Sequence, residues 1–141
     1  MDQLSHGAFE KAAEFIGLNA RPLERAQFEY QFGSGSISDV LAELGEFQND
    51  DGGFGHGIEP DLRMPLSSSF ASTLAFQVFR ELAVPGDLSV VGRGIKYFER
   101  TYNRSIGGWD PVGPHSDEFP HAPWWNYKPV DGRLNLLKQA N

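Results

Sequence analysis

Four polar side chains lie close together in a loop held by glycines and prolines, at a spacing that metal and acid–base sites use. The run is His56-x-x-Glu59-x-Asp61, and Arg63 follows two residues later. A histidine nitrogen with carboxylate oxygens would suit a divalent metal, and Glu59 and Asp61 are the weak candidates for catalysis. The favoured alternative pairs Arg63 with Glu59 or Asp61, while His56 hydrogen-bonds the turn. We therefore predict no metal and no cofactor, and keep His56 and Arg63 as candidates for lining a pocket.

A second group of candidates lies in a proline-rich segment nearer the C-terminus. Trp124 and Trp125 are adjacent and follow His121, while Trp109 stands at the start of the segment. Aromatic rings beside histidines would form a pocket for a carbocation, a sugar or an apolar chain. The favoured alternative is that Trp124 or Trp125 plugs the core beneath the loop. The same stretch also carries His115, Asp117 and Glu118.

Composition argues against several classes of site and partner. The chain has no cysteine, which removes disulfides, thiolate zinc sites and cysteine nucleophiles. Its net charge of −7 disfavours nucleic acid. Ser67, Ser68 and Ser69 lack a Gly-x-Ser-x-Gly elbow and are interpreted as helix caps. No apolar run approaches the ~18 residues of a membrane span and no leader pattern is visible, so a cytoplasmic location is expected.

Apolar residues recur at helical spacing, so the predicted fold class is all-α, built from antiparallel helical hairpins. Five helices are expected, and the second should open with Pro22 at its first position. The fourth, roughly 68 to 83, is apolar over a wide arc and should be buried between layers. From about 104 the chain should be irregular, with a long Gly/Pro-rich loop near the C-terminus. The predicted caps are Ser5 for the first helix, Ser36 or Ser38 for the third, Ser67 to Ser69 for the fourth and Asp87 or Ser89 for the fifth.

One glycine-rich motif occurs twice, at an offset of 55 residues along the printed sequence. The first copy follows the third helix and the second follows the fifth. Both have a helix, a polar spacer, Gly-Gly and an aromatic residue, and a period of two helices is typical of a repeat architecture. The motif is interpreted as a structural clamp between helices, because paired glycines permit a tight reversal that the aromatic can cover. Its residues are Gln48, Asp51, Gly52, Gly53 and Phe54 in the first copy, and Gly107, Gly108 and Trp109 in the second.

The pattern Gln48-x-x-Asp51-Gly52-Gly53-Phe54 resembles the QxxDGxW-type repeat of terpenoid cyclases and protein prenyltransferase β subunits. The run 46 to 60 and the segment 120 to 125 also look like an uncharacterised bacterial group of squalene-cyclase-like proteins. The resemblance covers roughly residues 30 to 127, and it implies part of an α/α toroid. We accordingly expect one toroid-like domain over 1–141. Its ring would be incomplete, completed by the remainder of a longer chain or by a homo-oligomer.

The chemistry of that family does not transfer to named residues. The Asp-x-Asp-Asp motif of the cyclases is missing, since the nearest run is Gln48-Asn49-Asp50-Asp51. The Asp-Asp-x-x-Asp motif and the zinc-binding cysteine are missing as well. Three functions therefore stay open: an isoprenoid or other apolar ligand in a central cavity, a carbohydrate-active toroid protein, or a non-catalytic binding or assembly module. Whether the protein is an enzyme is left open.

Overall fold

Within the part of the chain that the structure describes, five α-helices lie between residues 6 and 101, and two short 3-10 helices follow. The computed structural model describes residues 4–127. Over this range it contains no β-strand, only isolated bridges, so the all-α prediction is confirmed for the described part. The helices are α1 His6–Asn19, α2 Pro22–Phe32, α3 Ile37–Gly45, α4 Ser69–Glu81 and α5 Ser89–Thr101, and the 3-10 helices are Pro114–Glu118 and Pro123–Trp125. No described helix is long and apolar enough to span a bilayer.

Most of the helix boundaries follow from capping chemistry. The Oγ of Ser5 accepts the Ala8 N–H at the start of α1, and Pro22 opens α2 as predicted. Ser36 caps α3, where its Oγ accepts the Asp39 N–H at 3.2 Å and the Asp39 carboxylate accepts the Ser36 N–H at 2.8 Å. The serine hydroxyls at the starts of α1 and α3 thus accept N–H groups that have no partner within the helix, whereas no side chain caps the start of α2.

The predicted cap of α5 is wrong. Neither Asp87 nor Ser89 caps this helix, because Leu88 occupies the N-cap position and no side chain bonds the first turn. The reason lies in the preceding turn, where the Leu88 N–H donates to the Pro85 carbonyl at 3.3 Å. That turn places Ser89 already inside the helix, where its hydroxyl cannot act as the N-cap.

The chain divides into two compact units, Met1–Gly45 and Glu46–Asn141. In the first, α2 packs on both α1 and α3. Phe9 of α1 lies 6.0 Å from Phe28 and 5.7 Å from Phe32, measured between ring centroids. The start of α1 is therefore beside the end of α2, and the two helices form an antiparallel hairpin. No α1 residue is buried, and α3 supplies the fully buried Val40 and Leu44.

The second unit has a core of two parts. Phe54, Phe76, Phe79 and Phe98 form edge-on pairs that hold α4 against α5. Ala71, Ala75 and Phe79 of α4 are buried at four-residue spacing, so one side of the helix faces the core, while Phe70, Leu74, Phe76 and Val78 of its apolar arc are half-buried. The other part lies under the proline-rich loop, where the rings of Trp125 and Phe70 pack at a tilt, with their centroids 4.5 Å apart. It is completed by Leu62, Met64 and Val112, with Phe119 and Ala122 packed against it.

Candidate functional site

The first glycine motif forms a turn that is bonded to the two helices following it. We call residues 48–54 the first clamp. Gln48 Nε2 donates to the Gly52 carbonyl at 3.0 Å and to the Val90 carbonyl, in the first turn of α5, at 2.9 Å. The Asp51 carboxylate accepts the Gly53 N–H at 2.9 Å and the Ser67 hydroxyl at 2.7 Å. One turn thus links the segment before α4 to the start of α5.

Close packing leaves no room for a side chain at either glycine of the first clamp. Gly52 has a φ of +86°, and a Cβ there would lie 2.4 Å from the Arg93 carbonyl oxygen. At Gly53 a Cβ would lie 2.6 Å from Ser67 and equally close to the Tyr97 ring. Phe54 is fully buried, and its N–H donates to the Ser72 hydroxyl of α4 at 3.0 Å. Any side chain at the paired glycines would push α5 away from the turn.

Further polar contacts surround the first clamp. Asn49 Nδ2 donates to Ser67 Oγ at 2.9 Å, and Asn49 Oδ1 lies 2.8 Å from His56 Nε2. Arg93 and Arg100 each donate to a clamp carbonyl, those of Asn49 and Asp51 respectively, at 2.6 Å. His56 is therefore hydrogen-bonded to the first clamp, and the two arginines of α5 bind backbone carbonyls of the same turn.

The second glycine motif closes a related turn that is one residue wider and has different surroundings. The Asn103 N–H donates to the Gly108 carbonyl at 2.8 Å, as the Asn49 N–H donates to the Gly53 carbonyl in the first clamp. Gly107 has a φ of +64°. A Cβ at Gly107 or Gly108 would meet no described atom within 4 Å. Trp109 packs back on α5, where its Nε1 donates to the Phe98 carbonyl at 2.8 Å.

A cavity of about 180 Å³ lies between the start of α4, the end of α5 and the loop after the second motif. Because residues at the start of α4 and the end of α5 line the same space, these two helices are antiparallel. The lining mixes hydroxyls, two aromatic rings and one carboxylate. It consists of Ser67, Ser68, Ser69, Tyr97, Thr101, Trp109, Asp110, Val112 and Gly113. We call this the Ser67–Gly113 pocket.

Three of the pocket hydroxyls donate their hydrogens into the protein. Ser67 donates to Asp51 at 2.7 Å, Ser69 to the Asp110 carbonyl at 2.5 Å, and Thr101 to the Tyr97 carbonyl at 2.8 Å. A hydroxyl has one hydrogen and two lone pairs, so these three groups have only acceptor capacity left. The hydroxyls of Ser68 and Tyr97 have no acceptor among the described residues, and they remain the donors of the pocket.

Asp110 and Tyr97 set the electrostatics of the pocket. Asp110 is the single charged side chain among the lining residues. Its two oxygens accept the Gly113 N–H and the Tyr127 hydroxyl, both at 3.2 Å. Burial, assisted by the negative charge of Asp51, raises the pKa of Tyr97 to about 12. The Tyr97 phenol therefore stays neutral and protonated at physiological pH.

The loop carboxylates proposed from the sequence do not line this pocket. Glu59 Oε1 accepts the Asp61 N–H at 3.2 Å, so the two residues cap their own turn. Neither forms an ion pair with Arg63 within 4.0 Å in the described structure. Over residues 4–127, no cluster of three histidine, aspartate or glutamate side chains is arranged to hold a metal ion. The loop instead supports the proline-rich segment, since the Arg63 N–H donates to the Pro120 carbonyl.

The tryptophan and histidine candidates are separated by the fold. Trp125 is buried in the core, whereas Trp124 is exposed and Trp109 lines the pocket. Both nitrogens of His121 face oxygens, that of the Phe119 carbonyl at 2.6 Å and that of the Asn126 amide at 2.8 Å. The Asn126 oxygen first, and the Phe119 carbonyl second, raise the pKa of His121 by favouring the doubly protonated ring. His121 thus ties the loop together at a distance from the pocket lining.

Of the nine lining residues, only Trp109 was a ligand candidate from the sequence. Ser67, Ser69, Tyr97 and Thr101 carry no motif, and the serines were interpreted as caps. One signal in the sequence could have indicated the pocket. Asp110 directly follows the second Gly-Gly-aromatic motif, so an acidic side chain stands next to a turn that resembles the first clamp. Comparison with known proteins adds no further assignment: no protein-family model, no curated protein and no solved structure matches this chain.

Proposed function

We propose that residues 46–127 form a binding module for a small polar ligand of monosaccharide size, held in the Ser67–Gly113 pocket. The observation that carries this proposal is the convergence of hydroxyls, a carboxylate and an indole on one cavity. Polar groups placed around an aromatic surface are the usual composition of a small-ligand site. This develops the carbohydrate hypothesis without its catalytic part, because glycoside hydrolysis uses a pair of carboxylates and Asp110 alone lines the cavity.

Volume and polarity favour a sugar-sized ligand over an isoprenoid. At about 180 Å³ the cavity is smaller than the ~300 Å³ lower bound of sites for drug-sized ligands. It has room for about six waters at ~30 Å³ each. A long apolar chain would cover the hydroxyls and the carboxylate without replacing their hydrogen bonds to water, at a cost of roughly 1–3 kcal/mol per group. A ligand with its own hydroxyls avoids that cost.

The experiment is an NMR titration of the whole chain with three probes: glucose, glucosamine and geraniol. Saccharide binding in the pocket should shift the Trp109 indole N–H signal and the backbone amides of Ser69 and Thr101. Thr101→Phe fills the cavity and should abolish these shifts. The matched control is Thr73→Phe, because Thr73 makes the same hydroxyl bond to the carbonyl four residues back, at 2.9 Å, but does not line the cavity. Shifts with geraniol and with neither saccharide would contradict the proposal.

We further propose that the hairpins belong to an α/α-toroid-like architecture. Support comes from the recurrence of the turn: a positive-φ glycine and a backbone bridge close both motifs, and each follows a helix. The α4–α5 pair between the two motifs is antiparallel, as a repeat unit of a toroid would be. An experimental structure of the chain with any further repeats encoded beside it would test this. Consecutive hairpins should curve around a shared axis, and hairpins stacked in a straight row would contradict the proposal.

A second candidate function, assembly of copies of this chain, is supported by exposed apolar residues along α5 and at its two ends. Leu88, Ile95 and Tyr102 are spaced seven residues apart, and all three are exposed. Ile95 lies within the helix, while Leu88 and Tyr102 are its N-cap and C-cap residues, and a seven-residue spacing is that of a helix–helix seam. Analytical ultracentrifugation should show a dimer that Ile95→Lys dissociates and that Gln77→Lys, on the exposed side of α4, leaves intact. A monomeric wild-type chain at high micromolar concentration would exclude this role.

A further inference from the structure

The hydrogen-bond pattern of the Ser67–Gly113 pocket specifies the charge of its ligand, provided that the proposed function holds. Hydroxyl hydrogens that would otherwise reach into the cavity are taken up by Asp51 and by two backbone carbonyls. What faces the cavity from Ser67, Ser69 and Thr101 is therefore lone pairs. Three of the five hydroxyls in the lining thus offer only acceptors, against the donors of Ser68 and Tyr97. With the Asp110 carboxylate, acceptors outnumber donors, and such a lining is best matched by a ligand that brings several donors.

The charge of the lining residues also favours a ligand that brings donors. Asp110 contributes a carboxylate, and among residues 4–127 no lysine, arginine or histidine lines the cavity. Each carboxylate oxygen accepts one bond from the protein, at 3.2 Å in both cases. A carboxylate offers about four lone-pair sites, so roughly two stay available to a ligand. An anionic ligand would therefore be repelled by the Asp110 carboxylate.

Neighbouring charges outside the lining do not reverse this conclusion. The Arg100 guanidinium carbon lies 6.0 Å from the centre of the Tyr97 ring, but its Nη2 donates to the Asp51 carbonyl. Asp51 lies directly behind Ser67 and adds negative potential. Tyr97 contributes no charge, since its phenol remains protonated. The sum of the charges around the cavity favours a cation or a neutral donor.

An aromatic wall completes the arrangement. Trp109 is 41% exposed and lines the cavity, and its indole N–H is committed to the Phe98 carbonyl. With its N–H committed, the indole has only its aromatic ring to offer a ligand, and tryptophan is the best side chain for attracting a cation over its ring face. A carboxylate beside an exposed indole is the combination that binds ammonium groups.

We propose that the Ser67–Gly113 pocket selects ligands bearing a positively charged amine, with the ammonium donating to Asp110 and lying against Trp109. An ammonium has three N–H donors and no acceptor, which complements the lone pairs of Ser69 and Thr101. A neutral sugar of the same shape replaces this group by a hydroxyl with a single donor. The carboxylate is the selecting element, and the hydroxyl oxygens orient the remaining polar groups.

The test compares glucosamine with glucose on the wild-type chain at pH 6.5, by the NMR shifts of Trp109, Ser69 and Thr101. The two sugars differ only in an ammonium in place of a hydroxyl at one carbon. Charge-assisted hydrogen bonds are about twice as strong as neutral ones, so glucosamine should bind about tenfold more tightly. Raising the salt concentration should weaken glucosamine binding and leave glucose binding unchanged.

Variants identify the responsible carboxylate. Asp110→Asn keeps an acceptor for the Gly113 N–H and should reduce the affinity for glucosamine to that for glucose. Asp61→Asn removes an equal charge from an exposed turn outside the pocket and should keep the tenfold preference. Equal affinities of the wild-type chain for the two sugars would overturn the amine proposal and leave the saccharide pocket standing. A preference that survives Asp110→Asn would overturn the role of Asp110. Absence of shifts with both sugars would overturn the proposed function and this inference with it.

Discussion

Gln48 Nε2 lies 2.9 Å from the carbonyl oxygen of Val90, a residue 42 positions further along the chain. The same nitrogen donates to Gly52 at 3.0 Å, so one amide group closes the first clamp and holds the start of α5 beside it. α5 supplies two residues of the Ser67–Gly113 pocket, Tyr97 and Thr101. The position of this pocket wall therefore depends on a side chain that lies almost one full repeat earlier in the chain.

The two hydrogen bonds donated by the Gln48 amide should contribute to the stability of the fold. Gln48→Glu places carboxylate oxygens against two carbonyl oxygens and leaves both without their donor. We expect the free energy of unfolding to fall by about 1–3 kcal/mol. Urea denaturation followed by circular dichroism measures it. Gln77→Glu, the same change at an exposed site of α4, should shift it by less than about 0.5 kcal/mol. Equal losses in the two variants would argue against a specific role for the Gln48 bonds.

Two glycines of α5 should respond in opposite directions to alanine. A Cβ at Gly94 would lie 2.6 Å from the Phe76 ring, whereas a Cβ at Gly92 would meet nothing within 4 Å. Gly94→Ala should therefore cost about 1–3 kcal/mol through overpacking. Gly92→Ala should gain about 0.5–1 kcal/mol, because alanine loses less conformational entropy in a helix. Thermal unfolding of both variants checks this, and stabilisation by Gly94→Ala would show that α4 and α5 are farther apart than described.

His121 should make stability depend on pH above the ordinary histidine range. Its pKa is raised in the folded protein, chiefly by the Asn126 oxygen and the Phe119 carbonyl, with Asp117 adding a weaker contribution. A raised pKa means that the folded state holds the proton more tightly than the unfolded state. This stabilisation is full below about pH 6.5, the unfolded value, and is lost as the pH rises through the folded pKa.

The measurement is the melting temperature at a series of pH values for the wild-type chain and for His121→Gln. The variant should lack the decline that the wild type shows from about pH 6.5 upward. His6→Gln, on the exposed first turn of α1, serves as the control and should retain the decline. NMR titration of the His121 ring protons gives the folded pKa directly, and a midpoint below 6.5 would contradict the prediction.

Tyr97 should titrate above the ordinary tyrosine range. Burial raises its pKa to about 12, so the folded protein keeps this proton after the unfolded chain has lost it near pH 10. The associated stability is complete below about pH 10 and declines as the pH rises toward 12. Ultraviolet absorbance of ionised phenol, compared between the wild type and Tyr97→Phe, isolates the transition. A Tyr97 midpoint near 10 would mean that the ring is more open to water than its 6% exposure indicates.

Local patterns predicted much of the secondary structure because their causes are local. Pro22 opens α2, and Ser5, Ser36 and Ser68 cap their helices with bonds to N–H groups three residues away. The α5 cap failed because a turn shifted the register by a residue or two, and serine and aspartate spacing alone does not fix that register. The repeated turn could also be predicted from the sequence, because a position with positive φ favours glycine.

The candidate site was predicted less well, because it joins residues that are distant in sequence. Glu59 and Asp61 were chosen for their residue type, yet they bond within their own turn. Asp110, which lines the pocket, directly follows the second motif and was not singled out. Trp109, Trp124 and Trp125 were equivalent candidates by composition. Their separation into pocket wall, surface and core follows from where each side chain meets the rest of the chain.

The sequence by itself determined five helices, most of their caps and a repeated turn, because each depends on side chains within a few positions of the backbone they bond. Only the tertiary structure decided that Ser67, Tyr97, Thr101 and Asp110 share one cavity. Only it decided which way their hydroxyl hydrogens point, since the acceptors lie on other segments of the chain. Helix periodicity specifies which side of a helix is buried, but the partner that covers it is selected by packing between elements far apart in sequence.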